Sequence, residues 1–383
     1  MFASLIAFIR DYYRSNGPIP LHAPVFEGHE REYVLETIDS TFVSSVGAFV
    51  ERFENRIAAY TGSPRAVATV NGTAALHIAL KVAGVEAGDL VVTQPLTFVA
   101  TCNAIAYCGA EPVFVDVDRG TLGLSPRALE AWLTEHARLD AEGVCRSRAD
   151  NRVVRCCVPM HTFGLPADLD ALIDVCGRWN LVLVEDAAES LGSLYRGRHT
   201  GTIGRVGTLS FNGNKIITTG GGGMIITDEA LAARARHLTT TAKVPHPYDY
   251  VHDELGYNYR LPNLNAALGC AQLERLEAFI TAKRALANRY AELLAGSSIE
   301  FVREPEGCRA NYWLNAVICE DVAQRTALLA ATNGVGVMTR PIWRLMHTLP
   351  MYAHCRRGDL TVAEWLEARV VNLPSSVPPG DRQ

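Results

Sequence analysis

Short apolar runs alternate with helical patterns of hydrophobic residues from about residue 65 to about residue 230. Seven of these runs predict β-strands: Ala66–Val70, Leu90–Thr93, Pro112–Val117, Val153–Val158, Leu181–Glu185, Gly207–Phe211 and Met224–Thr227. Several of them are apolar along their whole length, which is typical of strands that helices cover on both faces. The alternation therefore predicts an α/β domain with a mainly parallel sheet.

The pattern changes in the last third of the chain. A helical periodicity continues through Ala266–Ala295, and Gly296 is a plausible stop for that helix. Beyond about residue 300, short strands and helices are mixed. We predict that residues 1–265 form an N-terminal segment and a large α/β domain. Residues 266–383 are predicted to form a bridging helix and a smaller C-terminal α+β domain.

The two ends of the chain carry weaker signals. Phe2–Ile9 is apolar with a spacing that suits a short amphipathic helix docked on the body of the protein. It lacks a basic region and a cleavage site, and it is too short to span a bilayer. No other run reaches membrane-spanning length, so we expect a cytoplasmic protein with no membrane partner. Val377–Gln383 is rich in Pro and Gly and is expected to be frayed.

Composition narrows the class of protein. The formal net charge is -5, with 48% hydrophobic and 20% charged residues. This balance suits a soluble enzyme and argues against a nucleic-acid-binding protein, which would carry a basic face. The ten cysteines, including the adjacent Cys156 and Cys157, have no CxxC spacing. They are predicted to be buried reduced thiols, and no metal site is expected.

A first candidate site follows the strand Ala66–Val70. Asn71-Gly72-Thr73 turns the chain into a predicted helix, Thr73–Ala83. The free N–H groups and the positive dipole at a helix N-terminus fit a phosphate. The same residues are also used simply to start a helix, so this motif alone leaves both interpretations open.

A second candidate is Asp186, which follows the apolar strand Leu181–Glu185. In open α/β sheets, ligands bind at the carboxyl ends of the strands. A buried carboxylate there needs a cationic partner, and a protonated pyridine nitrogen would supply one. That pairing would make pyridoxal phosphate (PLP) an effective electron sink. A structural or metal-binding aspartate is the alternative.

A third candidate is Lys215, in a polar loop after the strand Gly207–Phe211 and before the run Gly220–Gly223. Consecutive glycines imply close approach or special dihedrals. A lysine acts as a nucleophile only as the neutral amine, and attachment to a cofactor is one use of it. Ser210 at the strand end could add a hydroxyl to a phosphate site. A solvated surface lysine is the alternative, and the order of residues does not match a P-loop.

Phe98 lies in the segment Pro95–Ala100, directly after the strand Leu90–Thr93. Its ring could stack on the flat face of a pyridine, or it could be an ordinary core aromatic.

Taken together, these motifs resemble a known family. The segments NGTAAL, PLTFVAT, EDAAES, SFNGNK and GYNYRLPNLNAALG occur in the order typical of the DegT/DnrJ/StrS family of nucleotide-sugar aminotransferases. The resemblance covers about residues 20 to 375. Segments such as FVSSVGAFV and TTTAKVPHPYDYVHDELGYNYRLPN are similar to the branch that acts on UDP-linked 4-keto-6-deoxy N-acetyl sugars, en route to bacillosamine or legionaminic acid.

The resemblance implies a fold-type I PLP enzyme that works as a homodimer with shared active sites. It implies that Lys215 is the Schiff-base lysine and that Asp186 contacts the pyridine nitrogen of the cofactor. It also implies that the phosphate ligands are Gly72, Thr73 and Ser210, that the ring of Phe98 stacks on the cofactor, and that Asn258 reaches the phosphate bound by the partner subunit. Many members have Gln or His three residues after the aspartate. This chain has Glu189 there, which changes the contact expected with the cofactor's 3-hydroxyl.

The expected reaction has two half-reactions with Lys215 as the catalytic residue. An amino donor, glutamate by resemblance, leaves its amino group on the cofactor, and the keto sugar then receives it at C4. A diphosphate-linked sugar needs cations at the entrance, and Lys243, Arg260 and Arg340 are the candidates. Trp343 and His347 are predicted either to line the sugar or base pocket or to pack within the small domain.

Alternatives remain at this point. GDP- or dTDP-linked keto sugars could replace the UDP-linked substrate. A family member could also bind PLP and serve as a non-catalytic regulator, against which the intact Lys215 and Asp186 count. A NAD-dependent dehydrogenase would need a GxGxxG motif after the first strand, and NGTAAL does not supply it.

Overall fold

The computed structural model describes residues 2–378, so residues 379–383 of the predicted frayed tail lie outside the described chain. The helices are α1 (Phe2–Tyr13), α2 (Glu30–Asp39), α3 (Ala48–Thr61), α4 (Gly72–Val82), α5 (Val99–Tyr107), α6 (Pro126–His136), α7 (Leu169–Arg178), α8 (Glu229–Thr239), α9 (Asn263–Glu274), α10 (Leu276–Leu293), α11 (Val322–Asn333) and α12 (Thr361–Glu367).

The strands of the N-terminal part are β1 (Arg65–Thr69), β2 (Leu90–Thr93), β3 (Glu111–Phe114), β4 (Ala137–Leu139), β5 (Cys145–Ser147), β6 (Val154–Val158), β7 (Val182–Asp186), β8 (Leu194–Tyr195), β9 (Arg198–His199), β10 (Val206–Ser210) and β11 (Gly223–Thr227). Those that follow are β12 (Lys243–Val244), β13 (Val251–His252), β14 (Glu300–Phe301), β15 (Cys308–Arg309), β16 (Asn315–Ile318), β17 (Arg340–Pro341) and β18 (Val370–Leu373).

Seven strands form the central sheet in the order β1-β11-β10-β7-β6-β2-β3. Each corresponds to one of the seven predicted strands, with ends that differ by at most three residues. Only β11 runs against its neighbours β1 and β10, so the sheet is mainly parallel as predicted. The carboxyl ends of β1, β7 and β10 therefore meet at one edge of the sheet, where ligands bind in this class of fold.

The predicted long helix over Ala266–Ala295 is wrong in one respect. The structure has two helices, α9 and α10, joined at Arg275. The Arg275 N–H donates to the carbonyl groups of Gln272 and Leu273, which ends α9 with a tightened turn. Neither proline nor glycine lies at or next to Arg275, so the sequence carries no stop signal at this one-residue break.

A second, antiparallel sheet, β14-β16-β18-β17, lies in the C-terminal part. Helix α1 contacts α11 of this part, Ile19 pairs with Val337, and the Tyr13 hydroxyl donates to the carbonyl of Ser376 at 3.0 Å. The predicted division at residue 265 stays a prediction, but α1, which it assigns to the large domain, packs on the small C-terminal sheet and its helix.

Two further expectations concern the cysteines and a membrane-spanning helix. All ten cysteines are free, and nine of them are buried. Across residues 2–378 no helix combines the length and the hydrophobicity needed to cross a membrane.

Candidate active site

A cavity of about 330 Å³ opens at the carboxyl edge of the central sheet. The structure brings to its walls seven of the eight residues predicted to hold the cofactor: Gly72, Thr73, Phe98, Asp186, Glu189, Ser210 and Lys215. They come from the ends of β1, β7 and β10 and from the loop after β2. The parallel arrangement of the strands explains why residues so distant in the chain share one cavity.

The N-terminus of α4 forms one end of the cavity. The side chain of Asn71 caps this helix by accepting a hydrogen bond from the Ala74 N–H at 2.7 Å. The cap leaves the N–H groups of Gly72 and Thr73 without partners inside the helix, as at any helix start. A Cβ atom on Gly72 would lie 2.8 Å from Cβ of Ser210, so the two residues are in van der Waals contact only because residue 72 is glycine. Together they form a small cradle of donors that suits a phosphate.

Asp186 lies at the floor of the cavity and is buried. Its Oδ2 accepts a hydrogen bond from the Thr101 hydroxyl at 2.8 Å, and its Oδ1 accepts one from the Ala188 N–H at 3.2 Å. Burial raises the pKa of the Asp186 carboxyl above its ordinary value, and these two hydrogen bonds oppose the shift. Within the described chain no cationic side chain forms an ion pair with Asp186, so this buried carboxyl is free to take a cationic ligand as its partner.

The amine of Lys215 lies between a carboxylate and an aromatic ring. Its Nζ is 3.2 Å from Oε1 of Glu189 and 3.9 Å from the ring centroid of Trp313. The other carboxylate oxygen of Glu189 accepts a hydrogen bond from the Phe163 N–H at 2.9 Å. Burial raises the pKa of the Glu189 carboxyl to about 7, while Lys215 lowers it. Burial and the contact with Lys215 thus act in opposite directions on the charge of Glu189.

Sequence reasoning missed two residues of this cavity. Trp313 closes it over Lys215, and its indole N–H donates to the backbone carbonyl of Asn214 at 2.7 Å. Thr101 holds Asp186. The motif PLTFVAT contains Thr101, so its position after Phe98 could have revealed it. No local pattern marks Trp313, because it comes from the C-terminal part of the chain.

Asn258 does not reach this cavity. It is exposed and pairs with Thr240 at the base of a loop whose side chains Tyr248, Tyr250 and Leu255 are about 80% exposed. The predicted contact of Asn258 with the phosphate of a partner subunit therefore requires a second copy of the chain and stays a prediction.

Among the predicted substrate-binding residues, only Trp343 lines the cavity. Lys243 is exposed, 4.6 Å from the ring centroid of Tyr250. Arg340 is exposed and donates to Oδ1 of Asn333 at 3.1 Å. His347 is buried and lies outside the cavity, and burial lowers its pKa.

The prediction for Arg260 needs a correction. Its guanidinium is buried, and it donates to Oε1 of Glu54 at 2.9 Å and to the carbonyl of Ala68 at 3.0 Å. Because these contacts occupy it, the Arg260 guanidinium forms a structural ion pair and is not available as a cation for a diphosphate. The sequence did not show Glu54 as its partner because the two residues are 206 positions apart.

The residues present fit PLP. The cradle at Gly72 and Ser210 suits its phosphate, Asp186 suits its pyridine nitrogen, and Lys215 is the amine to which it would attach. Phe98 lines the cavity with about half of its side chain exposed, so its ring is free to stack on a ligand there.

Comparison with known proteins points the same way. Residues 25–379 match the DegT/DnrJ/EryC1/StrS aminotransferase family. The chain is 39% identical over 362 residues to a GDP-perosamine synthase of Caulobacter vibrioides, covering 93% of each chain. It is 37% identical over 358 residues to a GDP-perosamine synthase of Escherichia coli, again covering 93% of each. Among solved structures, the aminotransferase TlmJ of Streptoalloteichus hindustanus superposes with a TM-score of 0.85 at 29% identity and covers 95% of each chain.

Proposed function

The chain belongs to the DegT/DnrJ/EryC1/StrS aminotransferase family, a family of PLP-dependent sugar aminotransferases, and from this we propose that it aminates C4 of a GDP-linked 4-keto-6-deoxy sugar. The family, the fold-type I architecture and the cofactor predicted from the sequence are confirmed. The proposal concerns the substrate, the donor and the roles of individual residues.

The predicted branch is not supported. The sequence motifs favoured a UDP-linked N-acetyl sugar, whereas three of the relatives, at 39%, 37% and 34% identity, are GDP-perosamine synthases. Similarity over 93% of the chain includes the regions around the cavity, and this supports the GDP-linked alternative. The choice of a GDP-linked substrate rests on that similarity.

The residues of the cavity divide the chemistry among them. Bound PLP supplies an electrophilic carbon and an electron sink for the carbon that loses its proton. Asp186 keeps the pyridine nitrogen protonated, and the cradle at Gly72 and Ser210 anchors the phosphate. Lys215 attaches the cofactor and, once displaced, moves the proton between carbons. Trp313 and Phe98 cover the site and exclude water.

We also propose glutamate as the amino donor and a homodimer as the working unit. The exposed side chains of the loop that carries Asn258 support a second copy, because three large residues there have no cover within the described chain. A partner that seats on this loop would bring Asn258 toward its own cavity.

A panel of nucleotide sugars tests the substrate. The enzyme, loaded with PLP, is incubated with glutamate and with GDP-, UDP- or dTDP-linked 4-keto-6-deoxy sugars, and the amino sugars formed are quantified by mass spectrometry. We expect the GDP-linked sugar to be the best substrate. Faster amination of the UDP-linked N-acetyl sugar would reverse the assignment and leave the aminotransferase activity intact.

Borohydride reduction tests the role of Lys215. The chain has four lysines, Lys81, Lys215, Lys243 and Lys283. After reduction of the loaded enzyme, the pyridoxyl label is expected on the peptide that contains Lys215. Lys243→Ala should retain the label, and Lys215→Ala should lose both the label and the glutamate half-reaction. A label on any other lysine would remove the basis of the assignment.

A further inference from the structure

Glu189 is a buried carboxylate in direct contact with the amine of Lys215. The exposed fraction of its side chain is 1%, against 13% for Lys215, and the two groups are 3.2 Å apart. The Phe163 N–H fixes its second oxygen, and the side-chain amide of Asn311 donates to its backbone carbonyl at 2.9 Å. These contacts hold the carboxylate toward Lys215.

No other carboxylate of the described chain forms an ion pair with Lys215. Asp186 also lines the cavity, but its two oxygens accept hydrogen bonds from Thr101 and Ala188. Lys215 and the Phe163 N–H favour the ionised form of Glu189, and Asp186 disfavours it. His22 also lies close enough to Lys215 to interact with it, and burial together with the charges of Lys283 and Lys215 lowers the pKa of His22. The pair formed by Glu189 and Lys215 is therefore the local unit in which a proton can move.

The surroundings of the pair act in opposite directions on its charged and neutral forms. An ammonium and a carboxylate attract each other strongly in a cavity of low polarity, but both lose hydration there. The Trp313 ring, 3.9 Å from Nζ, stabilises the ammonium form. Burial raises the pKa of the Glu189 carboxyl to about 7, which stabilises the neutral form.

We propose that Glu189 and the free amine of Lys215 share one proton, and that Glu189 is the group to which Lys215 passes it. In this step one N–H bond of the ammonium breaks and one O–H bond forms at Oε1. Ammonium and carboxylate become amine and carboxylic acid, with no change in net charge. A lysine can take a proton from carbon only as the neutral amine, so the transfer prepares Lys215 inside the cavity. The inference rests on the proposed function, in which Lys215 moves the proton.

The pH dependence of Lys215 acetylation tests the proposal. The full-length protein, freed of cofactor, is labelled with trace acetic anhydride from about pH 5 to pH 11, and each lysine is quantified by mass spectrometry. A proton-sharing pair titrates in two macroscopic steps. For the wild type we expect a first rise in the Lys215 rate, a partial plateau, and a second rise at higher pH, because the first proton lost by the pair leaves one proton shared between the two groups. Glu189→Gln should show a single rise.

The exposed Lys243 is the internal control, since its labelling should be the same in both proteins. An infrared titration supplies a second measurement: in the wild type the protonated carboxyl band of Glu189 should fall only in part at the first step and disappear at the second, and it should be absent in Glu189→Gln. A single rise for wild-type Lys215, or profiles that superimpose in the two proteins, overturns the proposal. Because no amino donor or sugar is present, such a result leaves the proposed substrate untouched.

Discussion

Gly72 and Ser210 approach each other more closely than a side chain on residue 72 would allow. A Cβ atom there would lie 2.8 Å from Cβ and 3.0 Å from Oγ of Ser210. The glycine is needed for this approach rather than for a left-handed backbone. The contact joins the start of α4 to the end of β10, which are the two parts of the phosphate cradle.

Gly72→Ala should therefore weaken PLP binding. Forcing a methyl group into a filled space costs about 1–3 kcal/mol, which corresponds to roughly 5- to 150-fold in affinity if it falls on the cradle. Titration of the cofactor-free protein with PLP, followed by absorbance, measures the change. Gly177→Ala is the matched control, because Gly177 lies in α7 and an added methyl group would enter open space there. Equal PLP affinity for both variants would contradict the role of the contact.

Asp186→Asn should separate stability from turnover. Burial raises the pKa of the Asp186 carboxyl, so its contribution to stability is present below the unfolded pKa and is lost as the pH rises. At pH 7 the neutral asparagine should leave the cofactor-free protein at least as stable as the wild type. The glutamate half-reaction should fall by about 10²–10³-fold, the typical cost of removing one electrostatic contact to a reacting group. Thermal unfolding and single-turnover kinetics measure the two effects, and loss of both together would indicate misfolding.

Glu189→Gln should change how stability depends on pH. The pKa of this carboxyl is 4.5 in the unfolded chain and about 7 in the folded one, so its contribution is present below pH 4.5 and is lost between pH 4.5 and pH 7. The loss is of the order of 3 kcal/mol, because each unit of pKa corresponds to about 1.4 kcal/mol. Urea unfolding at pH 5 and at pH 8 should show a greater decrease for the wild type than for the variant. Parallel decreases in both proteins would show that another group is responsible.

Arg260→Ala should act on folding rather than on substrate recognition. The substitution leaves the carboxylate of Glu54 buried beside the space that the guanidinium filled. Breaking a buried ion pair of this kind costs about 3–5 kcal/mol of unfolding free energy. Arg236 also contacts Glu54, at 2.7 Å, but is half exposed. Arg236→Ala is therefore the control, with an expected cost below about 1 kcal/mol. In Arg260→Ala both half-reactions should fall by the same factor. A selective rise in KM for the nucleotide sugar would restore Arg260 as a diphosphate ligand.

The strands and helices could be predicted because each kind of element has its own spacing of hydrophobic residues along the chain. The apolar run Leu181–Glu185 and the motif that follows it are enough to place Asp186 at a strand end. The break at Arg275 was not predicted because no proline or glycine marks it in the sequence. Arg260 was assigned to the substrate because a cation after a polar loop looks accessible in a sequence, whereas its partner Glu54 lies in a distant helix.

The sequence by itself determined the sheet, the family and the chain positions of Lys215 and Asp186, because those depend on local periodicity and on motifs of short span. Only the tertiary structure decided what surrounds each group. It placed Trp313 over the Lys215 amine, Thr101 against Asp186 and Glu189 within 3.2 Å of Lys215. The charge and reactivity of a buried group depend on the atoms within a few ångströms of it, and the fold gathers those atoms from segments far apart in the chain.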